Sequence, residues 1–215
     1  MLILLFALAG AICSVPIRLL TRQLVAARGG RPDESRLLSG VLSAALFTAL
    51  GALGFALLSA VIPMTDIVRL IQFLLVFLIL LSLSAVDIVV RRIPNELLLA
   101  LILVYALGHT LNVGWSGITT NLLGAAIAAI LFTLPARLGL QIGWGDIKYA
   151  VVIGFCFGLA GLLQVTLVMG LGLGLYAAYL YISRRGGLFT SAAIGPYLSL
   201  GAVATMVFPV FTTIF

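Results

Sequence analysis

Apolar residues run on in this chain for about twenty positions at a time, the length a helix needs to cross a bilayer. Leu2–Leu20 and Ile67–Val86 are the plainest cases. In lipid, backbone N–H and C=O groups must be satisfied within the structure that crosses, which leaves helices and closed barrels. A barrel would need strands of about ten residues with alternating polarity. The runs here are continuous and about twice that length. Charged residues make up only 8% of the chain, against about 25% in soluble domains, too few to cover a water-facing surface. The expected fold class is therefore all-α, a polytopic transmembrane helix bundle.

Polar interruptions divide the chain into about eight expected spans, near 1–20, 38–62, 67–86, 96–112, 117–137, 147–162, 163–183 and 189–213. The sixth and seventh are separated only by Gly158-Leu159-Ala160-Gly161, which leaves six or seven spans as alternatives. Met1–Leu20 has no basic start, and its first positive charge, Arg18, follows the apolar run. That order suits an uncleaved first span and not a secretory signal. Arg18, Arg22, Arg28, Arg31 and Arg36 fall between the first two spans, Arg91 and Arg92 after the third, Arg137 and Lys148 around the loop after the fifth, and Arg184 and Arg185 after the seventh. With eight alternating spans all of these share one side, and only Arg69 lies opposite. The positive-inside rule then makes the rich side cytoplasmic and points both termini outward. The net charge of +6 reads as a topology signal. Dispersed over four short loops, it argues against a nucleic-acid partner. The connection Thr21–Arg36 is too short to fold alone, and Gly170, Gly172 and Gly174 suggest close helix packing.

The polar inventory excludes most chemistries. Cys13 and Cys156 form no C-x-x-C pair, and His109 is the single histidine, expected as a packing residue near an outer helix end. Neither a zinc site nor a Ser-His or Cys-His nucleophile can be built from these, so no metal and no cofactor is expected. Of six carboxylates, Asp33, Glu34, Asp66 and Glu96 read as loop charges or helix-start residues. Asp87 closes the run Ile67–Val86, with Ile88–Val90 still apolar beyond it, and Asp146 opens a span directly after Gly143-Trp144-Gly145. Ionisable groups within spanning segments are costly and mark function by default. In the eight-span topology both aspartates reach the cytoplasmic boundary. Two carboxyls meeting in a low-dielectric cleft share one proton over a broad pH range. An aspartic protease needs that state. Gly143 and Gly145 would let backbone approach a substrate or take φ values closed to other residues. The competing expectation is a proton-coupled transporter, which would hold its aspartates near the midplane beside broken helices.

Asp87-Ile-Val-Val-Arg-Arg-Ile93-Pro94-Asn95 resembles the first catalytic motif of the type IV prepilin peptidases, and Gly143-Trp-Gly145-Asp146-Ile-Lys148 resembles their second, G-x-G-D-x-K. Ile194-Gly195-Pro196-Tyr197-Leu198 is similar to a Gly-Pro-aromatic segment of the family's last span. The resemblance covers about residues 67–215 as a six-span peptidase core, preceded by two spans in residues 1–66. It implies an aspartic endopeptidase of the prokaryotic plasma membrane. Its substrates would be prepilin or pseudopilin precursors, whose basic leader it removes at the cytoplasmic face. By motif position Asp87 and Asp146 are the catalytic pair, with Ile93, Pro94, Asn95, Gly143, Gly145, Lys148, Gly195 and Pro196 in support. Bifunctional members carry a cysteine-paired domain after the first span, linked to N-methylation. The equivalent connection here is short and cysteine-free, so the resemblance implies a compact peptidase without methyltransferase.

Overall fold

The computed structural model of the chain describes residues 2–35, 37–113, 117–139, 142–184 and 193–210. Within them the backbone is helical, with no strand. The chain divides into two compact units, Met1–Ser116 and Gly117–Phe215.

The first unit holds α1 (Leu2–Ala27), α2 (Gly40–Val61), a 3-10 turn at Met64–Asp66, α3 (Ile67–Val90) and α4 (Asn95–Val113). α1 packs on α2 and α3, and α4 packs on α3. The α1–α2 approach is set by two glycines. A Cβ on Gly10 would lie 2.2 Å from the Gly51 carbonyl oxygen, and one on Gly51 would lie 2.5 Å from the Gly10 oxygen. Lipid tails supply no hydrophobic drive between helices, so backbone-to-backbone contact at small residues takes over that role. At one end of the unit Val25, Leu38, Phe47, Ala85 and Val86 form a buried cluster joining the end of α1, the start of α2 and the end of α3.

The second unit holds α5 (Ile118–Arg137), α6 (Trp144–Ile182) and α7 (Gly195–Val207). α6 packs on both α5 and α7. The glycine device recurs: Gly124 and Gly154 face each other across α5 and α6, and a Cβ on either would come within 2.4 Å of the other's carbonyl oxygen. At 39 residues α6 would extend about 58 Å if continuous, roughly twice the hydrocarbon thickness. It is broken at Gly158, whose φ of 64° and ψ of −172° are not helical. That break divides it into 144–157 and 159–182, at the first residue of the Gly158–Gly161 segment and about one turn before the expected boundary between 162 and 163.

Among the described residues five helices are long and apolar enough to cross a membrane: Leu2–Ala27, Gly40–Val61, Met64–Val90 (with the 3-10 turn), Ile118–Arg137 and Trp144–Ile182. Helices α4 and α7 are apolar but shorter. Large apolar side chains stand outward along most of them, Val41 at 86% exposure, Leu42 at 79% and Ile182 at 80% among them. Exposed apolar side chains on helices of this length suggest a membrane protein. Among the described residues every buried side-chain nitrogen or oxygen has a hydrogen-bond partner, as lipid requires.

Several boundaries differ from the sequence expectation. α1 continues to Ala27, because Leu24 and Val25 extend its apolar face after two arginines, and Val25 is fully buried. The connection to α2 therefore begins at Arg28, and Thr21 is a buried helical residue. α3 continues a full turn past the expected end at 86. The last span, expected over 189–213, is described as the 13-residue α7, ended at Phe208-Pro209; residues 189–192 and 211–213 lie outside the described residues, as do Arg36 and Arg185. Of the three glycines in 170–174, Gly172 packs against the Tyr197 ring, whereas Gly170 and Gly174 face open space.

Candidate active site

Asp87 sits in the last turn of α3 and is only 4% exposed. Beyond it Ile88 is half exposed, and the helix ends at Arg91, in the left-handed region at φ 54°. The Arg91 N–H donates to the Asp87 carbonyl at 2.9 Å, closing the final turn. Arg92, Ile93 and Pro94 then lead straight into α4 at Asn95. Pro94 is buried, and its carbonyl accepts the Leu98 N–H at 3.2 Å. The Ile93-Pro94-Asn95 segment is thus a tight inter-helix connection, in which proline fixes the backbone just before a helix starts.

Three arginines of this unit are held in ion pairs. Among the described residues Arg22 pairs with Asp33, Arg28 with Glu96 and Arg31 with Glu34. Arg18 donates to Ser43 Oγ at 2.8 Å and to the Leu38 and Gly40 carbonyls at 3.1 and 3.0 Å, tying α1 to the start of α2. Asp33 and Glu34, expected as loop charges, and Glu96, expected at a helix start and found in the first turn of α4, are exposed but engaged. Between the helices, Thr21 Oγ1 lies 2.8 Å from Ser82 Oγ, in the buried interior of the unit. Thr21 donates its one hydrogen to the Ile17 carbonyl at 2.7 Å, so Ser82 is the donor between them. A cleft of about 480 Å³ lies beside this end of α3, lined by Gly29, Gly30, Arg31, Glu34, Ser35, Leu37, Ile88 and Val89.

Asp146 lies in the second unit, in the first turn of α6. Gly143 caps that helix with ordinary extended backbone at φ −70° and ψ 143°. Neither Gly143 nor Gly145 has positive φ, so the expected conformational role of these glycines is absent. Gly143 supplies space instead: a Cβ there would lie 3.1 Å from Asp146 Oδ2. The carboxylate folds back over the capping residue. Lys148 is exposed, and Tyr149 is fully buried.

Gly195 and Pro196 open α7, and the Tyr197 and Leu198 N–H groups donate to the Ile194 carbonyl at 3.1 Å. The structure links this start to the Asp146 end of α6. Tyr149 Oη lies 2.7 Å from Ser199 Oγ, and Ser199 Oγ donates to the Gly195 carbonyl at 3.0 Å. Sequence reasoning named neither Tyr149 nor Ser199. The available signal was a pair of polar side chains inside apolar runs, each directly following a motif.

His109 stacks on Tyr105 with ring centroids 5.9 Å apart and planes 14° apart, a packing arrangement within α4. Among the described residues no three His, Cys, Asp or Glu side chains converge to hold a metal.

Fold and site together define an all-helical membrane protein carrying a buried carboxylate in the last turn of one helix and a second in the first turn of another. Residues 72–178 match the family model described as the type IV leader peptidase family. The chain belongs to that family, and the family is one of proteases. Both aspartates fall inside the matched segment; Gly195 and Pro196 lie beyond it. Neither the comparison with curated proteins nor that with solved structures found a match.

Proposed function

We propose that the chain is a membrane aspartic endopeptidase, removing the basic leader of type IV prepilin-like precursors at the cytoplasmic face of a prokaryotic plasma membrane. Asp87 and Asp146 are its catalytic pair. The reading is carried by one observation: the leader-peptidase match spans both aspartates, each held within one turn of a helix terminus. Residues 67–215 form the peptidase core in this reading, both termini face outward, and the precursor enters as an apolar helix with its leader in the cytoplasm.

The chemistry follows from two carboxyls sharing one proton. The ionised partner removes a proton from water as the water oxygen attacks the scissile carbonyl. The protonated partner donates a hydrogen bond to the developing oxyanion. Collapse of the tetrahedral intermediate breaks the C–N bond, and the proton passes to the leaving amine. No covalent enzyme intermediate forms.

The transporter alternative requires ionisable groups beside a helix break at mid-membrane. Such a break occurs at Gly158, but residues 154–162 around it contain no charged side chain. Asp146 lies twelve positions away, about 18 Å along the helix. The break therefore lends the transporter no support.

The test is co-expression with a prepilin-type precursor and detection of its shortening. Asp87→Asn and Asp146→Asn should each accumulate normally in the membrane and leave the precursor uncut. Cleavage retained by both variants would remove the assignment.

A further inference from the structure

We propose that Tyr149 and Ser199 are positioning residues for Asp146, acting as a hydrogen-bonded tie between the start of α6 and the start of α7. The inference rests on the peptidase reading of Asp146.

The direction of the tie can be worked out. Ser199 has one hydroxyl hydrogen, and its oxygen donates to the Gly195 carbonyl at 3.0 Å. It therefore has none to give Tyr149, and the 2.7 Å contact runs from the phenol to Ser199 Oγ. The chain of donors is Tyr149 Oη to Ser199 Oγ to Gly195 O. Both side chains are buried, Tyr149 completely and Ser199 to within 5%. A fully satisfied polar network in low dielectric admits one geometry and resists rotation.

Tyr149 is three residues from Asp146, so the two share a helix face and adjoin across one turn. Asp146 is itself in the first turn, where no side chain caps the helix and fraying is ordinarily greatest. Holding the phenol to α7 fixes the rotation of that first turn about the α6 axis. It thereby fixes the direction in which the Asp146 carboxylate leaves the backbone. The Gly195 carbonyl at the far end belongs to the turn that opens α7. The Gly-Pro segment is thus joined to the Gly-x-Gly-Asp segment through side chains that neither motif contains.

Tyr149→Phe is the sharp probe, because it keeps the ring in its packed site and removes only the donor. In purified protein reconstituted with a prepilin-type precursor, it should lower kcat about ten- to a hundredfold, with KM changed less than about twofold. Ser199→Ala should do the same, Ser199→Thr should retain most of the wild-type kcat, and the Tyr149→Phe/Ser199→Ala double variant should be no slower than the slower single one. The detergent-unfolding midpoint, read alongside, should not move in proportion to kcat. Three results would overturn the positioning role: wild-type kcat in Tyr149→Phe, multiplying losses in the double variant, or a Thr variant as slow as Ala. Asp146→Asn separates this from the underlying assignment. An active Asp146→Asn removes the peptidase reading and the inference with it. An inactive Asp146→Asn beside a fully active Tyr149→Phe removes the inference alone.

Discussion

Three glycines of α6, each replaced by alanine, isolate the two physical roles of glycine in this fold. Gly158 lies at φ 64° and ψ −172°, a region that side-chain-bearing residues occupy at a cost of about 1–3 kcal/mol. Space is not the issue there, since a Cβ would meet Asn121 Oδ1 at 3.4 Å and the Thr120 carbonyl at 3.6 Å, ordinary contacts. The cost of Gly158→Ala is then dihedral, about 1–3 kcal/mol with no helix-propensity gain to offset it. Gly154 is one turn earlier and helical, so alanine there gains up to about 1 kcal/mol in propensity. However, its Cβ would sit 2.4 Å from the Gly124 oxygen and 3.0 Å from Ala128 Cβ. Forcing α5 and α6 apart costs about 1–3 kcal/mol, leaving a net loss of between about zero and about 3 kcal/mol. Gly170 is helical with nothing within 4 Å of a Cβ, so Gly170→Ala should stabilise by up to about 1 kcal/mol. Unfolding in mixed micelles by stepwise addition of a denaturing detergent, followed by helical circular dichroism, gives the order. Gly170→Ala should unfold after the wild-type protein, and Gly154→Ala and Gly158→Ala before it. If Gly158→Ala unfolds with or after the wild-type chain, the break in α6 is not held by the fold. If Gly170→Ala loses as much as Gly154→Ala, the close-approach argument is wrong.

Gly143→Ala places a methyl 3.1 Å from Asp146 Oδ2 and should lower the peptidase kcat several-fold while barely moving the unfolding midpoint; an unchanged kcat would show that the carboxylate is free to turn away. Arg18→Lys should destabilise the first unit by about 1–3 kcal/mol, because a point-like ammonium cannot span the three acceptors that the guanidinium reaches, and the same unfolding titration reads it. Thr21→Val removes the acceptor of the buried Ser82 hydroxyl and should cost about 0.6–2 kcal/mol, nearer the lower figure if Ser82 turns to a carbonyl of its own helix. Asp33→Asn, by contrast, breaks a pair whose carboxylate is 80% exposed and should change stability by less than about 1 kcal/mol, with any change vanishing in high salt.

How far the sequence could be read depended on whether a feature is stated by one segment or by two. The helices were legible because each apolar run declares itself: Ile67–Val86 needs no neighbour to be recognised as a span. The pairing of Gly10 with Gly51, or Gly124 with Gly154, was not legible, since it depends on which helices touch. The break at Gly158 stood between the two. Four residues with glycine at each end suggested a division, but only the crossing of α5 decides which glycine leaves the helical region. Helix ends were read about two turns short at α1 and one turn short at α3 because charged or polar residues were taken as boundaries. In α1, Arg18 and Arg22 stay helical because their charged heads reach acceptors and a carboxylate outside the helix, while Thr21 turns inward to Ser82.

The same distinction governs the site. Asp87 and Asp146 stood out because carboxylates are scarce and four of the six had ordinary explanations, an argument that needs only the linear order. Tyr149 and Ser199 were invisible to it, as neither is charged and the bond between them spans fifty positions. Counting charges also overstated the basic character of the connection after the first helix. The five arginines counted between the first two expected spans suggest a surface that would repel the cationic leader in the proposed reaction. Yet Arg22, Arg28 and Arg31 are each neutralised by a carboxylate, one of them borrowed from α4, and Arg18 is consumed in holding the start of α2. At close range the field follows pairs and not totals, because a carboxylate in contact with a guanidinium leaves a dipole whose potential falls off faster than that of a lone charge. A cationic segment therefore meets less repulsion from the connection between α1 and α2 than a count of its arginines implies, and what remains at the end of α3 is set chiefly by the exposed Arg91 and Arg92.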